Sequence, residues 1–301
     1  MHILSQPVLA AFLRAHGNHA SGPGPCAVFD CDGTVIKGDV GEAMFYRQIE
    51  RFHFRRSPGD LWTDHPDRAL IHSLFRRLER LGERERKASP AFGPFADLLI
   101  SWYVDQIAAG AVVKACADIV RLFAGYTPDE MKALASENFA EECAATVSER
   151  MLGSRPVPLG IRYLREGREL AEELVRRGFE VWAVSGSNRW SVEPVFAGLG
   201  VPAERVIGIE MEVRDGILTE RQVEPVPIRE GKVEALRLRT SSVPVLVASD
   251  SKNDLPLFLA ATEVRVRINS RNRDTDEFFS SPGVERDARW ILVEHPETFH
   301  A

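Results

Sequence analysis

Hydrophobic and polar positions along the chain fall into two regimes. An apolar run, Cys26-Ala27-Val28-Phe29, ends in Asp30-Cys31-Asp32-Gly33-Thr34, the pattern of a buried strand leading into a turn. After it, strand patterning stops for more than a hundred residues and apolar positions recur at helical spacing over residues 40–54, 67–87, 92–123 and 128–152. Leu70, Leu74, Leu78 and Leu81 make one such stripe, and Thr127-Pro128-Asp129-Glu130 offers an N-cap, a first-turn proline and early acids. Strands and helices then alternate. A helix over 166–178 precedes a strand over 180–184; Val192, Val195, Phe196 and Leu199 mark the next helix, and 205–209 the next strand. Asp215-Gly216 predicts a hairpin, followed by a helix over 232–239, a strand over 243–248, a helix over 255–261, and strands over 264–268 and 290–293. A short helix over 7–16 opens the chain. Strands alternating with helices predict an α/β fold, a doubly wound, mostly parallel Rossmann-like sheet. The expected division is an α/β core of residues 1–37 and 160–301, with an all-helical domain, residues 38–159, inserted after the first strand.

Composition narrows the function classes. With 301 residues, 44% hydrophobic, 27% charged and a net charge of −6, the chain is of ordinary globular make-up and carries no polyanion-binding signature. No apolar run approaches the ~18 residues that span a bilayer, and residues 1–17 lack the charge pattern of a signal peptide. The expectation is therefore no nucleic-acid or membrane partner. Cys26, Cys31, Cys116 and Cys143 show neither CxxC spacing nor scaffold density, which suits a reducing cytoplasm. The glycines of the loop over residues 21–25 precede the first strand, whereas a dinucleotide fingerprint must follow one.

The candidate chemistry starts with Asp30 and Asp32. At i and i+2 of an extended chain they face the same side at the carboxyl end of the strand, where ligands bind in open α/β sheets. Two carboxylates ~4 Å apart repel by roughly 4 kcal/mol at an effective dielectric of ~20, and a hard dication with oxygen ligands offsets that. Ser185-Gly186-Ser187 follows the second strand with a hydroxyl and backbone amides suited to an anionic oxygen. Gly231-Lys232 places a cation at a helix start, and Ser249-Asp250-Ser251-Lys252-Asn253-Asp254 adds two acids spaced by four at a strand end.

In this order, Asp-x-Asp-Gly-Thr, Ser, Lys and Asp-x-x-Asn-Asp, the four stretches resemble the motifs of the haloacid dehalogenase-like hydrolases, mostly phosphatases. The resemblance implies Asp30 as nucleophile and Asp32 as general acid and base. It implies Ser185, Gly186, Lys232 and Asn253 at the phosphoryl oxygens. Asp30, the backbone carbonyl of Asp32, Asp250 and Asp254 would then hold Mg²⁺. The family's fourth motif usually opens Gly-Asp; Ser249 stands in the glycine's place here, and would be strained if the position needs φ > 0.

A helical insertion directly after the first motif is similar to the cap of the phosphoserine phosphatase branch. Asp39 lies nine residues beyond Asp30, where that branch carries a substrate-binding acid. Asp39-Val-Gly-Glu42, Gly231-Lys232 and the segment from Val264 to Asn269 resemble bacterial phosphocholine phosphatases, which implies Asp39 and Glu42 as substrate contacts. Trp62, Trp102 and Tyr103 are candidate aromatic walls. The implied activity is Mg²⁺-dependent hydrolysis of a small phosphomonoester through an aspartyl phosphate, with an amino-alcohol phosphate as candidate substrate. A phosphotransferase and a catalytically silent binding module are the alternatives.

Overall fold

The computed structural model describes residues 3–19, 24–268, 279–280, 282–285, 287–294 and 296–299. Residues 21–23 of the first loop and Asn269 of the tail segment lie outside the described residues. The chain divides into two units, residues 1–39, 161–208 and 224–301, and residues 40–160 with 209–223.

The first unit is built on a six-stranded sheet. Its strands are β1 (Cys26–Phe29), β2 (Glu180–Asn188), β3 (Val206–Ile209), β4 (Pro244–Ser249), β5 (Val264–Ile268) and β6 (Trp290–Val293). They lie in the order β6-β5-β4-β1-β2-β3, and the pairs β1–β4, β1–β2, β4–β5 and β5–β6 are parallel. This is the doubly wound order, with its reversal between β1 and β4. All four residues of β1 are buried, which is why its run is continuously apolar rather than alternating. On one face Val28, Val184 and Val247 pack with Ala235, Leu236, Leu257 and Phe258 of the helices Glu230–Arg239 and Leu255–Ala260. Further helices are Pro7–His16, Arg165–Arg176 and Arg189–Ala197. A small antiparallel sheet joins Ile36–Lys37, Arg162–Leu164 and Thr298–Phe299.

The second unit is mostly helical, with helices Val40–Arg51, Pro58–Leu61, Arg68–Leu78, Glu83–Ala88, Phe92–Ala108, Val112–Arg121 and Pro128–Ala144. Phe52, Phe54, Phe75 and Phe95 form one aromatic cluster in it, with Phe52 and Phe75 stacked at 5.2 Å. Two features correct the expectation of an all-helical domain. The stretch 128–152 is helical only to Ala144, because Glu149–Leu152 turns back on Arg155–Pro158 as a hairpin. The predicted hairpin, Met211–Arg214 with Ile217–Gln222, belongs to this unit and not to the sheet. The Gly125 amide donates to the Leu218 carbonyl, and the Leu218 amide to that of Tyr126, both at 2.8 Å.

Candidate active site

β1 and β4 end side by side at the point where the strand order reverses, and the candidate residues follow both ends. The amide of Asp30 donates to the Ala248 carbonyl at 2.9 Å, so parallel pairing continues one residue beyond β1 and fixes the Asp30 backbone. Its carboxylate is buried. Lys232 Nζ donates to Oδ1 at 2.8 Å and Thr34 Oγ1 approaches Oδ2 at 3.4 Å. Burial raises the Asp30 pKa to about 7; Lys232 opposes the rise, while Asp254 and Asp250 add to it. Burial acts against the charge on Lys232, yet the carboxylates of Asp254 and Asp30 outweigh it and hold the lysine above its ordinary value.

Lys232 reaches this position because its helix starts close against the preceding turn. Gly231 there would place a Cβ on the Val226 carbonyl oxygen. Its ammonium also donates to Asp254 Oδ2 at 2.6 Å, which in turn accepts from the buried Ser249 hydroxyl at 2.6 Å. Asp254 thus faces Lys232 and Ser249, a lysine-anchoring role beside the ligand role implied for it. Ser249 is unstrained: among the described residues, positive φ outside glycine occurs at Phe52, Asp215 and Arg229. Gly33 has φ +73, and a Cβ on it would fall inside contact distance of Asp250 Oδ2. The glycine therefore admits Asp250 to the turn that carries Asp32.

Asp32 belongs to a second group of contacts. Ser187 Oγ donates to its Oδ2 at 2.7 Å and Ser185 Oγ lies 3.4 Å from the same oxygen. Ser187 Oγ also stands 3.3 Å from Asp39 Oδ1. β2 runs to Asn188, past the end expected at residue 184, so Ser185 and Ser187 share one face of a strand with Gly186 between them. Asp32, Gly33, Lys37, Asp39, Asp250 and Ser251 line part of a cavity of about 540 Å³. Asn253, expected at a phosphoryl oxygen, lies exposed on the turn Lys252–Asp254, where its amide donates to Ser251 Oγ.

In the helical unit, Glu42 occupies the first turn of Val40–Arg51. Tyr103 donates to its Oε1 at 2.9 Å and Tyr46 to its Oε2 at 3.5 Å. Trp62 is fully buried and donates to the Asp118 carbonyl at 2.9 Å, which makes it a core residue rather than a binding wall. Trp102 packs on His65 at 4.6 Å.

Among the described residues, no three His, Cys, Asp or Glu side chains converge as a ready metal cage. The oxygen set implied for a cation consists of the carboxylates of Asp30 and Asp250 and the Asp32 carbonyl, with Asp254, here turned to Lys232, in support. Hard oxygens in that number suit Mg²⁺, which keeps several waters and takes one or two carboxylates. Asp30, Asp250 and Asp254 also outnumber the one buried ammonium among them, so the charge balance favours a cation.

Four hydroxyls went unassigned by sequence reasoning: Thr34, Ser187, Ser249 and Tyr46. Ser187 carried a signal, since it stands two residues from Ser185 and shares its face once the strand extends. The Tyr46 contact follows from the i, i+4 spacing to Glu42 on one helix.

Comparisons with known proteins bear on the family and the fold. The family model of the haloacid dehalogenase-like hydrolases matches residues 27–259. The chain is 37% identical over 109 residues to the phosphoserine phosphatase SerB2 of Mycobacterium tuberculosis, a match covering 35% of this chain and 26% of that protein. Among solved structures it is similar to a conserved functionally unknown protein from Anaerococcus prevotii, with TM-score 0.72 and 19% identity over 93% of this chain and 89% of that one. It is also similar to a protein with unknown function from Bordetella pertussis, with TM-score 0.54 and 17% identity over 91% and 99% of the two chains. These two likenesses concern the fold.

Proposed function

The chain belongs to the haloacid dehalogenase-like hydrolases, and from that premise we propose that it is a Mg²⁺-dependent phosphomonoesterase acting through an aspartyl phosphate on a small phosphorylated metabolite. The observation that carries the reading is the buried Asp30 carboxylate, fixed at the end of β1 by Lys232 and flanked by Asp250. An Asp30 oxygen attacks phosphorus, the new O–P bond forms, and the ester P–O bond breaks. Asp32, oriented by Ser187, gives its proton to the departing oxygen and later takes one from the water that hydrolyses the acyl phosphate. Lys232 meets negative charge as it develops on the phosphoryl oxygens. Asp30, Asp250 and the Asp32 carbonyl, with Asp254 in support, would hold Mg²⁺, which would supply further charge stabilisation when bound.

The preferred ester in this reading is an amino-alcohol phosphate. Asp39 and, three residues along the chain, Glu42 would take the cationic end. The Tyr46 and Tyr103 hydroxyls on Glu42 support this, because a carboxylate beside aromatic rings suits an ammonium group. The test is phosphate release from a panel of phosphomonoesters, with MgCl₂ and with excess chelator. Release is expected only with the metal, and Asp30→Asn should lower kcat roughly a thousandfold or more. Full turnover in chelator, or near-normal turnover by Asp30→Asn, would end the mechanism. Glu42→Gln should lower kcat/KM on phosphocholine or phosphoethanolamine about tenfold, the scale of one hydrogen-bonded charge, and change p-nitrophenyl phosphate little. Equal losses on both would give Glu42 a structural role.

A further inference from the structure

Ser249 ends β4 with its side chain fully buried, at the place where the resembling motif usually carries glycine. Its hydroxyl has two neighbours. The Ser251 amide donates to Oγ at 3.2 Å, and Oγ lies 2.6 Å from Asp254 Oδ2. An N–H can only donate, so the oxygen accepts there and the single hydroxyl proton turns to Asp254. The same Asp254 oxygen accepts from Lys232 at 2.6 Å, and Lys232 donates to Asp30 at 2.8 Å. A continuous chain of hydrogen bonds therefore runs from the Ser251 amide through Ser249, Asp254 and Lys232 to Asp30.

We propose that Ser249 is a positioning residue, whose hydroxyl fixes the Asp254 carboxylate and so holds the Lys232 ammonium on Asp30. The reasoning is electrostatic and geometric. A buried carboxylate with the ammonium as sole partner would draw it away from Asp30. A second donor on Asp254 takes up part of that negative charge and leaves Lys232 shared between two acids. A glycine could not supply this donor. Ser249, Asp254, Lys232 and Asp30 are all buried, so water does not readily replace a missing member. The inference rests on the phosphatase reading for its effect on rate, but the wiring itself is a property of the fold.

The test is a double-mutant cycle on the full chain, with Ser249→Ala, Asp254→Asn and both together, read in two ways. Ser249→Ala should lower kcat about tenfold and leave KM within threefold, because the group it aims acts on developing charge. In the Asp254→Asn background, the same change should cost less than twofold. Ser249→Thr, which keeps the hydroxyl, should restore most of kcat. Urea unfolding of the four proteins should show the same coupling, with a clear loss from Ser249→Ala alone and a much smaller one after Asp254→Asn. A tenfold kcat loss that persists in the Asp254→Asn background would overturn the proposal. So would unfolding losses that simply add, or a lowered urea midpoint with unchanged kcat. If the wild-type chain releases phosphate from no ester, the phosphatase reading falls by itself and the unfolding cycle still decides the wiring.

Discussion

At Gly33 the backbone has φ +73, and the absent Cβ leaves room for the Asp250 carboxylate. An alanine there meets two penalties, about 1 kcal/mol for the left-handed backbone and a collision with Asp250. Gly33→Ala is therefore expected to raise the Mg²⁺ concentration for half-maximal phosphate release about tenfold, while lowering Tm by only a few degrees. A Mg²⁺ titration that matches the wild type would remove Asp250 from the metal set. Residues of this kind were legible in the sequence because spacing fixes them: Asp30 and Asp32 two apart, then a glycine. Ser187 was not, since the apolar run of β2 stops at Val184 and the strand continues through small polar residues. Backbone pairing, rather than side-chain hydrophobicity, carries those last positions.

The helix Pro128–Ala144 begins with a reciprocal cap. Thr127 Oγ1 accepts from the Glu130 amide at 3.1 Å, and the Glu130 carboxylate accepts from the Thr127 amide at 2.8 Å. Thr127→Ala should cost about 1 kcal/mol and lower Tm by about 2–4 °C, with Thr127→Ser close to the wild type. A calorimetric scan checks this; an unchanged Tm would mean that the box contributes nothing net. Helix starts were thus readable from local chemistry, whereas breaks and faces were less so. Residues 92–123 form two helices because Gly110 takes φ +78 between them. In Arg68–Leu78 the buried face is Ile71, Leu74, Phe75 and Leu78, and Leu70 is exposed. The alternation Val-Arg-Val-Arg-Ile in β5 suggests one solvated face, yet all five residues are buried. Arg265 is satisfied by the carbonyls of Phe258 and Ala261 and by Asp287, and the Arg267 guanidinium sits 4.7 Å from the Phe279 ring centroid. Partners that lie outside the strand leave no periodic trace in it.

For the molecule as a whole, two histidines of the helical unit contribute to acid sensitivity. Burial holds both His53 and His65 below the ordinary value of 6.5. His65 is neutral for a visible reason: its Nδ1 accepts from the Asp67 amide at 2.8 Å, and a proton there would break that bond. The unfolded chain binds these protons more readily than the folded one, so the stability they contribute is present above pH 6.5 and is lost as pH falls through the lowered values. Asp30, raised to about 7, acts in the opposite direction over the same range, so the histidine contribution is read as a difference. Between pH 7 and pH 5 the urea midpoint of the wild type should lose ground to that of His53→Gln with His65→Gln. Parallel pH profiles for the two chains would assign the histidines no part in acid sensitivity.

The strand order also governs when the site can exist. Asp30 and Lys232 are 202 residues apart in the chain, and β1 finds both of its neighbours, β2 and β4, only after the whole helical segment has been passed. Loop closure over such distances makes these pairings slow compared with helix formation. During refolding, far-ultraviolet ellipticity should therefore recover ahead of turnover. A ribosome-bound chain that ends before Lys232 would hold the Asp30 carboxylate without the ammonium that steadies it in the finished fold, so the site is completed late in synthesis.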